Sequence, residues 1–261
     1  MTKQMASAGK VYLVGAGPGD PELLTVKAHR LLLAADVVLH DDLVSEAIVS
    51  LVGHEAEVVN VGKRCGAKRI TQDEINARMI EAARRGLSVV RLKSGDPGIF
   101  GRLSEEMEAL DAAGVAYEAV PGITAGIAAA ASLGVSLTDR RKSARVVVVT
   151  GHKAYAGQKN QKIEWKNLAR EDATLIVYMP GHEFGNLRDE LLEAGLPAEV
   201  PAVIVSRATA PDQRHQFTTV GSLASLPRLA SPSILLVGWA LGGAEQKSQA
   251  VDYAELMLAS D

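Results

Sequence analysis

Short apolar segments alternate with amphipathic segments along the first half of the chain, and glycine follows several of the apolar ones. Val11–Gly15 and Val89–Lys93 are typical of buried strands, while Leu24–Ala35 and Leu103–Ala113 have the apolar spacing of helices. Strands that alternate with helices pair in parallel or mixed sheets, and the helices cover those sheets. The alternation therefore predicts an α/β fold.

The clearest predicted helix is Thr71–Arg85. Thr71 and Glu74 have the spacing of a capping box, and Gly86 supplies a stop. The other predicted strands are Asp36–His40, Val58–Gly62, Tyr117–Val120, Val146–Thr150, Leu175–Met179, Ala202–Ser206, Ile234–Val237 and an edge strand Gln216–Val220. The other predicted helices are Thr124–Ser132, Phe184–Ala194 and Gln246–Ala259.

The alternation restarts after the basic segment Arg140–Arg145, which predicts a second α/β series. We expect two α/β domains, residues 10–141 and 142–242, each with a parallel or mixed sheet flanked by helices. A tail with a helical pattern follows over residues 243–261. The glycine-rich strand ends are expected to line an interdomain cleft.

Charge and cysteine content exclude several classes of protein. A net charge of −3 argues against a general nucleic-acid binder. Cys65 is the only cysteine and the six histidines show no ligand spacing, so we expect no disulfide and no metal site. Residues 1–10 lack a signal-peptide run, and no apolar stretch reaches the about 18 residues that cross a membrane. We therefore expect a cytoplasmic protein without a membrane partner.

The glycine-rich segment Gly15–Pro21 directly follows the first predicted strand. Asp20 stands where a dinucleotide-binding fingerprint needs glycine, and Pro18 removes a backbone N–H that would face a pyrophosphate. The segment is either a turn that admits a ligand other than a phosphate or a tight structural turn. The failed fingerprint argues against a nicotinamide-dependent oxidoreductase.

Two further strands end in glycine-rich turns, where open α/β sheets bind ligands. The first, Arg91–Arg102, holds Asp96, which either accepts a hydrogen bond from a ligand or caps the turn. Arg102 and Glu105 lie one helical turn apart, either beside a ligand or as a solvated ion pair. The second, Val120–Gly126, opens a helix of small residues that suits a close ligand or tight packing.

Two basic clusters, Lys63–Arg69 and Arg140–Arg145, lie outside these turns. Guanidinium groups pair bidentately with carboxylates, so together with Arg102 the clusters suit a small polyanion. Each cluster alone is also typical of a solvated surface.

Six segments occur along the chain in one order: VGAGPGDPELLT, DVVLHDDLVS, GKR, VVRLKSGDPGIFGR, VPGITAGIAAAASLGVSLTDR and VYMP. Together they resemble the tetrapyrrole methylases, in the branch of the uroporphyrinogen-III C-methyltransferases, from about Val11 to Leu241. The resemblance implies a two-domain α/β fold, a homodimer and S-adenosylmethionine bound between the domains, with S-adenosylhomocysteine as product. It also implies that uroporphyrinogen III is methylated at C2 and C7, giving precorrin-1 and then precorrin-2 for sirohaem or cobalamin.

The resemblance also implies particular site residues. The cofactor positions are Pro18, Ser94, Gly95, Asp96, Ile99, Thr124, Ala125, Met179 and Ala208. The proton acceptor and donor fall on Asp41 and Lys63, and Arg102, Glu105 and Arg140 match positions near the macrocycle. Alkylation of the ring must be accompanied by loss of a proton, and either Asp41 or Arg102 assists that step.

Three residues depart from the family pattern. Ser94 replaces a glycine, Gly98 an aromatic residue and Asp139 a histidine.

Three rival classes of function stay open. They are an enzyme of the same superfamily that acts on a later corrinoid precursor or on diphthine, a nucleotide-dependent oxidoreductase, and a non-catalytic regulator. An rRNA methylase of this fold is disfavoured by the acidic balance, whereas GKR, GIFGR and LTDR favour uroporphyrinogen.

Overall fold

The computed structural model describes residues 9–62, 70–151, 163–181 and 183–243. Packing divides the chain into one unit that ends at Ala125 and a second that begins at Gly126. Each unit holds one five-stranded sheet with helices, which confirms the α/β class. The boundaries predicted for the domains, 10–141 and 142–242, stay predictions. The predicted helix Gln246–Ala259 lies outside the described residues.

The first unit contains a sheet in which all strands are parallel. Its strands are β1 (Lys10–Gly15), β2 (Val37–His40), β3 (Glu57–Asn60), β4 (Ser88–Lys93) and β5 (Tyr117–Val120). Its helices are α1 (Val26–Ala34), α2 (Glu46–Val49), α3 (Gln72–Arg84) and α4 (Leu103–Ala112). The strand order is β3-β2-β4-β1-β5, so β4 and β1 are central neighbours.

Different helices cover the two faces of this sheet. Leu32 of α1 and Ile48 of α2 are buried on one face, while Met79 of α3 and Leu110 of α4 are buried on the other. The helices that follow β1 and β4 therefore lie on opposite faces. Because β1 and β4 are neighbours, the crevice at their carboxyl ends is a topological switch point, the place where open α/β sheets bind ligands.

The second unit contains a mixed sheet of order β6-β7-β10-β8-β9. The strands are β6 (Arg145–Thr150), β7 (Ala173–Tyr178), β8 (Pro201–Ser206), β9 (Arg214–Thr219) and β10 (Ser233–Val237), and the helices are α5 (Ala125–Ser132), α6 (Trp165–Leu168) and α7 (Phe184–Glu193). Only β6 and β7 are parallel; the remaining pairs are antiparallel. Its core packs Trp165 and Leu191 against Leu175, Ile204 and Leu235.

Local signals explain where the helices of the first unit begin. The capping box is confirmed: the Thr71 hydroxyl accepts from the Glu74 N–H at 3.2 Å, and the Glu74 carboxylate accepts from the Thr71 N–H at 2.7 Å. The predicted helix Leu24–Ala35 is confirmed to within two residues, and the Thr25 hydroxyl caps α1 by accepting from the Ala28 N–H at 3.1 Å. The helix therefore begins at Val26, after a 3₁₀ turn.

The predicted strand Val58–Gly62 is likewise confirmed to within two residues, and β3 ends at Asn60. The Asn60 side chain accepts a hydrogen bond from the Gly62 N–H at 2.8 Å, which turns the chain out of the sheet. The other predicted elements in the described ranges are confirmed to within two residues at each end. β9 lies at the sheet edge, as expected for Gln216–Val220.

Glu118 on β5 pairs with two lysines. Lys10 donates to its carboxylate at 2.8 Å, and Lys27 donates to the other oxygen. The hydrogen bonds from Lys10 and then Lys27 lower the pKa of Glu118 to about 2. A lowered pKa means that the ionised carboxylate stabilises the fold above about pH 4.5 and that this stabilisation is lost as the pH falls towards 2.

Glu118→Gln is therefore expected to lower the Tm slightly at neutral pH and not at all near pH 2. The difference should shrink in high salt, because the pair is partly exposed. Thermal unfolding of both proteins across the acid range measures it. A Tm gap that is the same at both ends of that range would contradict the prediction.

Candidate active site

Three glycine-bearing turns meet at the carboxyl edge of the first sheet. They follow β1, β4 and β5 and contain Gly15, Gly95 and Gly122. A Cβ at Gly15 would lie 2.6 Å from the Gly122 nitrogen and 2.7 Å from the Gly95 carbonyl oxygen. A Cβ at Gly122 would lie 2.3 Å from that same oxygen. Because these distances leave no room for a side chain, the turns form a continuous surface of backbone.

The turns after β1 and β4 also hydrogen-bond to each other. The Gly17 N–H donates to the Gly95 carbonyl at 3.1 Å, and the Gly95 N–H donates to the Gly17 carbonyl at 2.7 Å. The Ala16 N–H donates to the Lys93 carbonyl, and Pro18 has no N–H to offer. These backbone donors are used or missing, which agrees with the expectation that the first turn is poorly suited to a pyrophosphate.

Asp96 joins two of the turns. Its Oδ1 accepts from the Gly98 N–H at 2.8 Å, and its Oδ2 accepts from the Gly122 N–H at 3.0 Å. Of the two alternatives raised by the sequence, the structure therefore shows the turn-capping role. A ligand contact stays compatible with it, because each carboxylate oxygen accepts more than one hydrogen bond. A Cβ at Gly98 would lie 3.1 Å from Oδ1 of Asp96. Gly98, which stands where the family pattern has an aromatic residue, therefore lies in a tight turn.

The structure brings together the cofactor residues predicted for the first unit. Pro18, Ser94, Gly95, Asp96, Ile99, Thr124 and Ala125 lie in the three turns or directly after them. The Thr124 Cα and the Ala125 nitrogen are 3.8 and 3.7 Å from a Cβ placed on Gly95. Met179 and Ala208 belong to the second unit, where they follow β7 and β8. Their assignment to the cofactor stays a prediction.

Backbone strain marks the same segments. Within the described ranges, the residues other than glycine that have a positive φ are Phe100, Arg102, Met179, Arg207 and Thr209. Each is a predicted site residue or adjoins one. The left-handed region costs an ordinary residue about 1–2 kcal/mol, and such strain clusters at functional sites. The backbone strain thus agrees with a functional role for the segments that were predicted from the sequence.

Four charged side chains form a network beneath the turn after β4. Arg91 and Lys93 are only 2% and 3% exposed, and both donate to Oε1 of the fully buried Glu106 on α4, at 3.0 and 2.8 Å. Arg91 also donates to Asp41, which follows β2 and whose side chain is 32% exposed. Burial lowers the pKa of Lys93, Arg91 lowers it further, and Glu106 opposes both effects. We call these four residues the buried charge network.

Of the four residues in the buried charge network, Asp41 is predicted from the sequence and its three partners are not. The signal was present in the strand itself. A central parallel strand is normally apolar on both faces, yet β4 carries Arg91 and Lys93 two residues apart and hence on the same face. Two cations in that position require a buried anion, and Glu106 on the following helix supplies it.

Arg102 and Glu105 form an exposed pair at the start of α4. Arg102 Nε donates to Glu105 Oε1 at 2.7 Å, and a second nitrogen donates to Oε2. This is the ion pair that the sequence left open as an alternative. The hydrogen bond to Glu105 raises the pKa of the Arg102 guanidinium. Arg102 therefore stays a cation at the carboxyl edge of the first sheet.

The remaining predicted residues are spread between the second unit and undescribed ranges. Arg140 is exposed in the second unit. The neighbouring Arg141 hydrogen-bonds to Asp139 and lowers the pKa of that carboxyl to about 2. The negative charge that Asp139 brings, where the family pattern has a histidine, is therefore paired with the positive charge of Arg141. Lys63 and its cluster, Lys63–Arg69, lie outside the described residues.

Across the described ranges, no three His, Cys, Asp or Glu side chains are grouped to hold a metal ion, and no helix is long and apolar enough to span a membrane.

Comparison with known proteins places the chain in a family. The family model of the tetrapyrrole (corrin/porphyrin) methylases matches residues 10–224, and the chain belongs to that family. It is 42% identical, over 88% of its length and 91% of the relative's, to an S-adenosyl-L-methionine-dependent uroporphyrinogen III methyltransferase of Methanosarcina barkeri. It is 43% identical to siroheme synthases of Escherichia coli over 90% of its length, but spans only 50% of theirs.

Solved structures share the fold. A uroporphyrin-III C-methyltransferase of Thermus thermophilus, complexed with S-adenosylhomocysteine, is 36% identical with a TM-score of 0.76, covering 90% of this chain and 94% of that one. A cobalt precorrin-4 methyltransferase is 34% identical with a TM-score of 0.79, covering 89% and 95%. The predicted membership of the family is confirmed.

Proposed function

We propose that the chain is an S-adenosylmethionine-dependent C-methyltransferase. It methylates uroporphyrinogen III at C2 and C7 and so produces precorrin-1 and then precorrin-2, the precursors of sirohaem and cobalamin. The observation that carries this proposal is the 42% identity, over nearly the whole of both chains, to the Methanosarcina barkeri methyltransferase. The chain spans about half of the siroheme synthases, so the proposal covers methylation alone.

The surface of backbone at the switch point fits S-adenosylmethionine. Gly15 and Gly122 let the three turns pack closely into one surface, and the engaged N–H groups of Ala16 and Gly17 do not favour a phosphate. S-adenosylmethionine has no phosphate, and when bound it supplies an electrophilic methyl group on a positively charged sulfur. The residues that we propose to hold it are Pro18, Ser94, Gly95, Asp96, Ile99, Thr124, Ala125, Met179 and Ala208.

The chain's own residues position the acceptor and remove a proton. Transfer to a ring carbon needs alignment more than covalent help, and the alkylated ring, which is a cation, must then lose a proton. The raised pKa of Arg102 disfavours it as the base, whereas Asp41 is a carboxylate at the neighbouring strand end. We infer that Asp41 accepts the proton, and that Arg102 and Arg140 bind the acetate and propionate groups of the macrocycle. Lys63 stays the predicted proton donor.

Three further features rest on the sequence alone. The homodimer, the cytoplasmic location and the absence of nucleic-acid and membrane partners stay predictions. Sedimentation of the purified chain measures the first of these directly.

A comparison of methyl acceptors tests the substrate. Labelled S-adenosylmethionine is offered with uroporphyrinogen III, with a later corrinoid precursor or with the protein substrate of diphthine synthesis. The corrinoid is the strongest rival, given the likeness to the cobalt precorrin-4 methyltransferase. We expect uroporphyrinogen III to be methylated fastest. Faster transfer to either of the others would overturn the assigned substrate while leaving methyl transfer intact.

Arg102→Ala is expected to lower kcat/KM for uroporphyrinogen III by about 10- to 100-fold, the range for loss of a charge-assisted hydrogen bond. S-adenosylhomocysteine should still bind, within about threefold of the wild-type Kd, because Arg102 is assigned to the macrocycle. Steady-state kinetics and calorimetry measure the two effects. Arg102→Lys, which keeps the charge but not the planar fork, should fall between. Equal loss of turnover and of cofactor binding would count against the assignment.

A further inference from the structure

The buried charge network is an unusual use of the sheet interior. Three of its members, Arg91, Lys93 and Glu106, are almost completely buried between β4 and α4. Taking charges out of water is unfavourable, and well-packed apolar residues of similar size often stabilise a fold equally well. Fold stability alone therefore does not explain why these three charges are present. A role in orienting another group explains their presence.

Arg91 is held on every side. Its Nε donates to Glu106 at 3.0 Å, its Nη1 donates to the carbonyls of Leu39 and Leu92 at 3.3 Å, and its Nη2 donates to Asp41. A guanidinium is planar and its donors have a fixed geometry, so these contacts leave it one position. The direction in which it presents Nη2 to Asp41 is therefore set by the protein.

Lys93 and Glu106 complete the support. Lys93 Nζ donates to Glu106 at 2.8 Å, and Gln72 of α3 donates to the same oxygen at 3.3 Å. Glu106 is thus tied to two neighbouring elements and cannot swing away from Arg91. The Lys93 carbonyl accepts from the Ala16 N–H at 2.7 Å, which places the network directly below the turn after β1.

Asp41 is the member of the network that reaches solvent. It follows β2, its N–H donates to the Leu92 carbonyl at 3.3 Å, and β2 pairs with β4. Its carboxylate therefore lies at the same edge of the sheet as the glycine-bearing turns. A partly exposed carboxylate on a strand end would normally sample several rotamers, and the fixed guanidinium restricts it to one.

We propose that Arg91, supported by Lys93 and Glu106, is a positioning residue that orients the Asp41 carboxylate for proton removal during methyl transfer. This inference rests on the proposed function. The ring carbon forms a bond to the methyl group with its own electron pair, and the methyl–sulfur bond breaks with its pair left on sulfur. The positive charge now on the ring is discharged when a proton passes to Asp41, and the products are the methylated ring and S-adenosylhomocysteine.

A double-mutant cycle in turnover tests the role. Asp41→Asn should lower kcat by about 100-fold and Arg91→Lys by about 10-fold, with KM and the Kd of S-adenosylhomocysteine little changed. In the Asp41→Asn background, Arg91→Lys should lower kcat by less than about twofold, because the group it orients is already gone. Glu106→Gln, which keeps the volume of the side chain, serves as a second route should Arg91→Lys fold poorly. Lys27→Gln, an exposed change on α1 away from the network, is the control and should have the wild-type kcat.

The outcomes separate the inference from the proposed function. A merely structural residue gives additive losses. If the wild type turns over and Arg91→Lys lowers kcat equally in both backgrounds, the positioning role is overturned and the proposed function still stands. The same applies if Glu106→Gln behaves additively with Asp41→Asn. A wild-type chain that transfers no methyl group to uroporphyrinogen III would overturn the function and the role with it.

Discussion

Glu106→Leu is expected to lower the free energy of unfolding by about 3–5 kcal/mol, the usual effect of breaking a buried ion pair by removing one partner. Oε1 of Glu106 accepts hydrogen bonds from both Arg91 and Lys93 inside the first unit. Leucine fills a similar volume but leaves two buried cations without this carboxylate. Urea unfolding combined with hydrogen exchange of β4 and α4 measures the loss within the first unit.

The pH dependence of that loss follows from Lys93. Burial lowers the pKa of Lys93, so the folded state releases this proton at a lower pH than the unfolded chain does. Stability then rises with pH between the lowered value and the ordinary 10.5. Without Glu106 the pKa should fall further, and the penalty of Glu106→Leu should therefore shrink as the pH is raised.

Two control variants make the Glu106 result specific. Glu105→Leu removes an exposed carboxylate next to it in sequence and should change the free energy of unfolding by less than about 1 kcal/mol. The combined change of Arg91 and Lys93 to Met with Glu106→Leu should recover most of the stability, because no charge then stays buried. A loss below about 1 kcal/mol for Glu106→Leu alone would show that the network contributes nothing to folding.

Gly122→Ala is expected to weaken S-adenosylhomocysteine binding by about 5- to 150-fold, because the strained turns cost about 1–3 kcal/mol of binding free energy. The new Cβ would lie 2.3 Å from the Gly95 carbonyl oxygen, which is a backbone atom that cannot rotate away. The turn after β4 must then move, and with it the hydrogen bond from the Gly122 N–H to Asp96. Calorimetric titration measures the change in Kd.

Gly185→Ala is the matched control for this prediction. Gly185 lies in α7 and a Cβ there meets no atom within 4 Å. Because alanine favours a helix over glycine by up to about 1 kcal/mol, this variant should be neutral or slightly stabilised, with unchanged binding. Wild-type affinity in Gly122→Ala would show that the three turns do not form the cofactor surface.

Local signals predicted most elements because their causes are local. Thr71 and Glu74 set the start of α3, and the β-branched runs of β4 and β6 form strands as expected. α2 was missed because it has only four residues, although Ser45 caps it. α1 begins within two residues of its predicted start, because the Thr25 hydroxyl decides where helical hydrogen bonding begins.

The site was predicted in its parts and not in its assembly. Each glycine-bearing turn is visible in the sequence, but the contact between Gly15, Gly95 and Gly122 depends on the strand order, which places β1 between β4 and β5. Hydrophobic periodicity carries no information on that order. The partnership of Arg91 with Glu106 is non-local in the same way, since it depends on α4 packing across β4.

Methyl transfer from a sulfonium to uroporphyrinogen III can be read from the mass of the product. The purified chain is incubated with uroporphyrinogen III and S-adenosylmethionine that carries an isotopic label in its methyl group. We expect a tetrapyrrole with two labelled methyl groups, preceded by one with a single label. A tetrapyrrole recovered without label, from a protein that is folded and supplied with fresh cofactor, would contradict it.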